Sequence, residues 1–395
     1  MEKVKTIIVG GGASGLFCAC SLKSDYIMIE RNDRLGKKLS ATGNGQGNIT
    51  NENISPSAYY SVSESDGKID SVLAKCGKYD LLDFFAERGF IVSADERGRY
   101  YPLSRQASSI TDLLRYEVDK KAKRVYTGAF VSSVTPAKNG FVVCFDYSGK
   151  TEKIECENLV IATGGKSAKN FGTDGNGYNL AKSLGHTVTE IYPSLVQLKT
   201  QTDAIKGLKG IKTKVKITAT ANGEVVGEEY GDLIFTDYGV SGDAIFRLSA
   251  RITHKLDQKI TLTVDFCPDY KEKEIANTVK VKRANGFVPE SEVLCGIVLN
   301  KIGRLILSTE KTPEKIAHKI KNYPLTVTGS LGFDYSQVSK GGIPLTQVDE
   351  NLQSKKHRAL FFTGEILDCD GDCGGFNLQW AFSTSQIVAK KINNG

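Results

Sequence analysis

Gly10, Gly12 and Gly15 stand in a G-x-G-x-x-G spacing, and an acid, Glu30, follows 20 residues after Gly10. Each residue type in that pattern has a chemical use. Gly10 permits a tight turn, Gly12 lets the backbone approach a pyrophosphate, and Gly15 lets a helix lie close to a strand. A helix starting at Ala13 would present unpaired N–H groups and its positive dipole end to phosphate oxygens. Glu30 can accept from both ribose hydroxyls, and its charge disfavours a 2′-phosphate. The plainer alternative is a glycine turn with no ligand. The fingerprint by itself does not separate FAD from NAD. Other chemistry is poorly supplied. The four His are scattered without an H-x-x-x-H, and the nine Cys include no C-x-x-C pair. Neither a metal site nor a nucleophile triad is expected.

The elements that must hold these residues follow from the apolar pattern. Val4 to Val9 reads as a strand, Ala13 to Leu22 as a helix, and Tyr26 to Ile29 as a strand ending in Glu30. Three further glycine clusters favour FAD. SATGNGQGNITN, Ser40 to Asn51, follows Lys37 and Lys38 and suits a loop around a ribityl–pyrophosphate chain. NLVIATGGKS, Asn158 to Ser167, puts Thr163-Gly164-Gly165 at the end of a strand, Leu159 to Ala162. A helix then runs from Asp174 and Asn176 to about Leu184, with Gly185 as its C′ residue. GEILDCDGDCGGFNLQWAFSTSQ, Gly364 to Gln386, follows an apolar strand, Leu360 to Thr363, and opens a helix from about Asn377 to Ile392. The start of that helix would stabilise negative charge on a reduced flavin. Three separated contacts suit one long ligand, whereas an NAD-only protein would need the first alone.

At 395 residues, with 40% hydrophobic and 25% charged residues, the chain suits two or three globular domains. No apolar run reaches membrane-spanning length, and no export signal is visible, so a cytoplasmic protein with reduced thiols is expected. The net charge of +7 is mild and the lysines are scattered, which ranks RNA below a small organic substrate. From about Pro193 the pattern changes. Lys212 to Thr220 alternates as a half-buried strand, Asn222-Gly223 marks a two-residue hairpin turn, and Glu224 to Tyr230 returns. Ile260 to Val264 and Pro324 to Thr328 are further strands around a helical stretch, Tyr270 to Asn322, in which Thr312-Pro313-Glu314 starts a helix.

GGGASGL, the loop from GKK to NITN, RGRYYPLSRQASSI, ATGGKS with GTDGNGYNLAKSLGH, IFTDYGVSGDAIF and GEILDCDGDCGGFNLQWAFS occur in that order. Through them the chain resembles, nearly end to end, the BaiN/YhiN-like (aminoacetone-oxidase-like) NAD(P)/FAD-dependent flavoproteins. The resemblance implies an α/β fold, with a two-dinucleotide-binding-type Rossmann FAD domain from residues 1–192 plus 328–395. It implies an inserted β-rich domain, 193–268 plus 323–327, carrying a helical subdomain, 269–322. It places Gly10, Gly12, Ala13, Ser14, Glu30, Lys38, Asn44, Asn48, Ala162, Thr163, Gly164, Gly375, Phe376, Asn377 and Leu378 at or near FAD, with Val131 contacting the adenine through its backbone. Gly15, Arg31, Thr42, Gly43, Gly364 and Glu365, from the same segments, complete the expected cofactor set. Many relatives carry an Arg-Cys pair where this chain has Gln46-Gly47, which removes a cation and a thiol.

Flavin carries the redox chemistry, so the protein needs to orient, polarise and deliver a proton. Arg99 could clamp an anionic substrate, and Tyr100 or Tyr238 could donate a proton. Arg97 is a further candidate, although either arginine could instead pair with an acid. Cys369 and Cys373 are read as packing residues. No second glycine fingerprint follows, so NAD(P)H would act only as a transient co-substrate. The expected activity is an FAD-dependent oxidoreductase on a small organic molecule, reductase or oxidase. An FAD-dependent tRNA-modifying enzyme and a non-catalytic flavin-binding protein are the alternatives. Oligomeric state is not readable.

Overall fold

The computed structural model describes residues 1–395 and divides into two compact units, Met1–Tyr192 with Gln337–Gly395, and Pro193–Ser336. Residues 328–336, which the sequence reading grouped with the ends of the chain, fall in the second unit because the strand Tyr323–Ser330 continues past Thr328.

The first unit is an α/β Rossmann-type domain on a seven-stranded sheet. Glu2–Val9 lies between Tyr26–Glu30 and Lys150–Ile161, parallel to both, with Val9 opposite Ile29 and Ile161. Arg124–Thr127 extends the sheet beyond Tyr26–Glu30. The strand Lys150–Ile161 changes partner along its far edge. Its first half pairs antiparallel with Gly140–Tyr147, and its end pairs parallel with Leu360–Phe362, Ile161 opposite Phe362. Ile7, Ile8, Ile27, Met28, Leu159, Val160 and Leu360 are wholly buried, as expected of parallel strands covered on both faces. Four strands thus end in register at one edge, and each runs directly into a predicted motif.

Both ends of the sequence are knitted together across that sheet. The helix Ala13–Ser21 packs on the helix Phe376–Asn394, with Phe17 and Phe382 edge to face at 5.2 Å. Ser385 Oγ donates to the Ser14 carbonyl at 2.7 Å, and Asn393 Oδ1 accepts from Lys23 N at 2.9 Å. Gln386 Oε1 accepts from Ser21 Oγ at 2.9 Å. No helix is long and apolar enough to cross a membrane.

The second unit is a closed barrel of six strands, in the order Leu198–Thr200, Gly239–Ser241, Glu224–Phe235, Lys212–Ala221, Ile260–Asp265 and Tyr323–Ser330. Alternation on Lys212–Ala221 sends Val215, Ile217, Ala219 and Ala221 inward. Asn222 and Gly223 both take positive φ, 50° and 92°, which a two-residue hairpin turn requires. The helices Glu272–Asn285, Asn300–Thr309 and Pro313–Lys321 add Val279, Ile306 and Ile316 to the same core. Thr312 caps the last of these, accepting from Lys315 N at 3.4 Å.

Candidate functional site

The turn Gly10–Gly15 divides its glycines by role. A Cβ on Gly10 would lie 2.5 Å from the Ala162 carbonyl oxygen, and one on Gly15 would lie 1.9 Å from that of Gly10. Both are forced by close packing. A Cβ on Gly12 would meet nothing within 4 Å, so the protein itself does not require glycine there. Gly12 is the N-cap of Ala13–Ser21 and offers no side-chain cap, and the first helical bond is Leu16 N to Gly12 O. The amides of Ala13, Ser14 and Gly15 therefore fall outside the helical ladder. Glu30 is buried beside this opening. Its Oε2 accepts from Gly11 N at 2.7 Å, and its Oε1 from Asn32 N and Nδ2, both at 2.7 Å. A carboxylate has about four acceptor positions, so one remains for a ribose hydroxyl. Asn32, which the sequence reading missed, also donates to Phe171 O at 2.9 Å and so fixes Glu30 against the third motif.

Ala162, Thr163 and Gly164 follow the neighbouring strand end. Thr163 Oγ1 is buried with no hydrogen-bond partner. Beyond Phe362, Gly364 takes φ 79°, and a Cβ there would reach Ser14 Oγ at 2.6 Å. Glu365 Oε2 holds Lys38 Nζ at 2.9 Å, and its Oε1 accepts from Ser339 N at 2.9 Å. Ser339 Oγ in turn accepts from Lys166 N at 2.8 Å and Ser167 N at 3.1 Å. Arg31 pairs with Asp174 at 2.6 Å and stacks over Phe130 at 5.3 Å. Burial raises the Asp174 pKa, but the Arg31 bond, the Asn176 amide and the Arg31 charge together outweigh it and hold the carboxyl below its usual range. The Val131 carbonyl accepts from Asn176 Nδ2 at 3.3 Å.

In the second glycine loop, Gly43 and Asn44 are left-handed, at φ 58° and 54°. Thr42 Oγ1 donates to Leu39 O at 2.7 Å. Asn48 Nδ2 donates to Thr50 O at 3.1 Å and Tyr100 O at 3.0 Å, which fixes the side chain against the neighbouring strand. Asn377 is similar: its side chain accepts from Gly371 N at 2.9 Å and donates to Gly371 O at 2.8 Å. These bonds shape the turn that ends at Gly375, whose φ of 101° starts the helix Phe376–Asn394 with no side-chain cap. The first ladder bond there is Gln379 N to Gly375 O, which leaves the amides of Phe376, Asn377 and Leu378 outside it. Asn51 Nδ2 pins the same turn through Gly374 O at 2.9 Å. At Gly47, φ is 76° and a Cβ would stand 2.7 Å from Ile110 Cδ1. A side chain at position 47 would therefore meet both a left-handed backbone and a crowded loop.

Two uncapped helix starts, the open position at Gly12 and the orphaned Thr163 hydroxyl fit an elongated ligand with anionic oxygens, as FAD has.

The catalytic candidates separate. Arg99 Nε and Nη2 bond Asp95 Oδ2 at 2.8 and 2.6 Å, which leaves Nη1 outside that pair. Burial pushes the Asp95 carboxyl up, yet its bonds from Arg99 hold it below the usual range. A Cβ on Gly374 would lie 3.5 Å from Arg99 Cδ, so Arg99 borders the turn before the last helix. Tyr100 points elsewhere: its hydroxyl donates to Glu52 Oε2 at 2.7 Å, and Glu52 also binds Lys78. That Glu52 bond, then burial, raises the Tyr100 pKa. Tyr238 lies in the second unit, where burial raises its pKa. Cys369 is buried, and burial followed by the charges of Asp370 and Asp368 pushes its thiol well up, against a thiolate role.

Residues 4–391 match the family described as HI0933-like protein Rossmann domain. The chain is 32% identical over 406 residues, 97% of each chain, to a 3-dehydro-bile acid delta(4,6)-reductase of Clostridium scindens. It is 28% identical over 408 residues, 98% of each chain, to a ribosomal RNA dihydrouridine synthase of Haemophilus influenzae. Its fold is similar to that of a 3-ketosteroid delta1-dehydrogenase from Sterolibacterium denitrificans, with a TM-score of 0.54, 11% identity and all of both chains covered.

Proposed function

The chain belongs to the HI0933-like Rossmann family of FAD-dependent oxidoreductases, and we propose that it reduces a carbon–carbon double bond conjugated to a carbonyl in a small, flat organic molecule. The observation that carries this reading is the in-register edge at which Val9, Ile29, Ile161 and Phe362 end. It sets the Gly10 turn, Glu30, Thr163 and Gly364 side by side at the carboxyl ends of parallel strands, where such folds take their ligands. The names of the bacterial relatives supply the bond type, since a delta(4,6)-reductase and a dihydrouridine synthase both add hydrogen across a ring double bond.

FAD, once bound, would supply the hydride for the β-carbon of the conjugated system. Ala13, Ser14 and Gly15 amides would hold its pyrophosphate, Glu30 its ribose, and the start of Phe376–Asn394 the pole where negative charge gathers. Lys38 and Arg31 would hold the loops beside it through their pairs with Glu365 and Asp174. Arg99 would point Nη1 at the substrate carbonyl and stabilise the charge there until the α-carbon takes a proton from water. Tyr100 suits proton supply less well, because Glu52 already takes its hydroxyl. NAD(P)H is the proposed two-electron donor, reaching the same face transiently.

The test is an anaerobic spectrum of FAD-loaded protein with NADH, then NADPH, followed by a 4-en-3-one steroid. Bleaching of the flavin band by either nucleotide and its return with the steroid would support the reading. A flavin that neither nucleotide reduces and no enone reoxidises would overturn it. A second reading, an RNA substrate, is favoured by the Haemophilus relative. It predicts uptake of hydrogen into ribosomal RNA and salt-sensitive RNA binding.

A further inference from the structure

We infer that Arg105 anchors an anionic group, a carboxylate on an otherwise apolar molecule, at the substrate end of the site; this rests on the placement of the substrate proposed above. Arg105 is one of the few non-glycine residues with left-handed backbone, at φ 53°. Its amide donates to Pro102 O at 2.8 Å, which closes a tight turn and fixes where the side chain leaves it. The guanidinium then stacks on the ring of Tyr101, 4.3 Å from the centroid. Tyr101 is buried and lies beside the second glycine loop. Its Cε1 would lie 3.7 Å from a Cβ on Gly43. From the other direction, Arg99 approaches the same ring at 5.8 Å while bordering Gly374.

Charge distinguishes the two arginines. Arg99 is neutralised by Asp95, whereas Arg105 is exposed and has no carboxylate at ion-pair distance. Arg88, Arg115 and Arg247 all bond acids. An uncompensated guanidinium, held by strained backbone and an aromatic face, is a forked donor set for a carboxylate. Leu103, 63% exposed and two residues before it, gives an apolar surface beside the charge. One cation next to apolar surface selects a monoanion on an apolar frame.

The experiment uses FAD-loaded wild type, Arg105→Met and Arg105→Lys, with a 4-en-3-one steroid bearing a side-chain carboxylate and its methyl ester. Dithionite-reduced enzyme is mixed anaerobically with each steroid, and flavin reoxidation gives a half-saturating concentration and a limiting rate. The acid should half-saturate wild type about tenfold lower than the ester. Arg105→Met should raise the value for the acid by about tenfold and move that for the ester far less, and Arg105→Lys should restore part of it. Equal values for acid and ester in wild type, or a shift of both alike in Arg105→Met, would overturn the assignment. If neither steroid reoxidises the flavin, the proposed reaction fails. The anchor is then read from binding of the acid to oxidised enzyme, by perturbation of the flavin spectrum. Binding lost in Arg105→Met supports the anchor, and no binding in wild type, or binding unchanged by the substitution, overturns it.

Discussion

At Gly10 and Gly15 a Cβ would meet backbone oxygens at 2.5 and 1.9 Å, whereas at Gly45 in the second loop it would meet nothing within 4 Å. The first turn is glycine-rich because strand, turn and helix press together. The second loop is glycine-rich because its backbone runs left-handed at Gly43, Gly45 and Gly47, with open space at Gly45 and close neighbours at the other two. Similar composition thus hides two constraints: close packing fixes Gly15 whatever its φ, and chain direction alone fixes Gly45. Gly12 fits neither, having φ −77° and open space ahead of it, so nothing within the protein requires glycine there, and the proposed reading gives that space to FAD.

Substitutions can break that comparison. Gly15→Ala should destabilise the FAD-free protein by about 3 kcal/mol or more, because helix and strand must part; urea unfolding measures it. Gly12→Ala should leave the same unfolding curve unchanged and weaken FAD binding about tenfold or more, read by flavin fluorescence quenching. An equal loss of stability in both variants would erase the distinction. In the second loop, Gly47→Ala should cost about 2 kcal/mol, since strained φ is joined by the Ile110 contact. Gly45→Ala should cost about 1 kcal/mol, from the backbone alone.

The smallest effect concerns pH, away from both loops. Burial lowers the His186 pKa, the Gln347 bond partly offsets this, and the Lys356 and His357 charges lower it further. The unfolded chain therefore takes the proton first. Stability from neutral His186 is present above pH ~6.5 and is lost as pH falls toward the folded value. Melting temperature should fall between pH 7.5 and 5.5, and His186→Gln should flatten that slope.

Elements set by local pattern were legible: the Asn222-Gly223 turn, the Thr312 cap, and the strands that run into the glycine motifs. The barrel's closure was not, because Leu198–Thr200 and Gly239–Ser241 are three residues each and show no periodicity. The bonds that hold Asn48 and Asn377 were not legible either, because they go to backbone groups that only folding brings near. Tyr100 was drawn toward Glu52, 48 residues away. Arg105 gave no signal, since its meaning lies in a φ value and a stacked ring.

The knit between Ser14 and Ser385 has a consequence for synthesis. The strand Glu2–Val9 emerges from the ribosome long before the helix that must cover its neighbour, and the contact spans 371 residues. The barrel, by contrast, is drawn from one continuous stretch, 193–336. It can complete its contacts while the Rossmann sheet still waits for Leu360–Phe362. Contacts so distant in sequence slow folding. In a pulse of translation the barrel should become protease-resistant first, and the flavin cradle last.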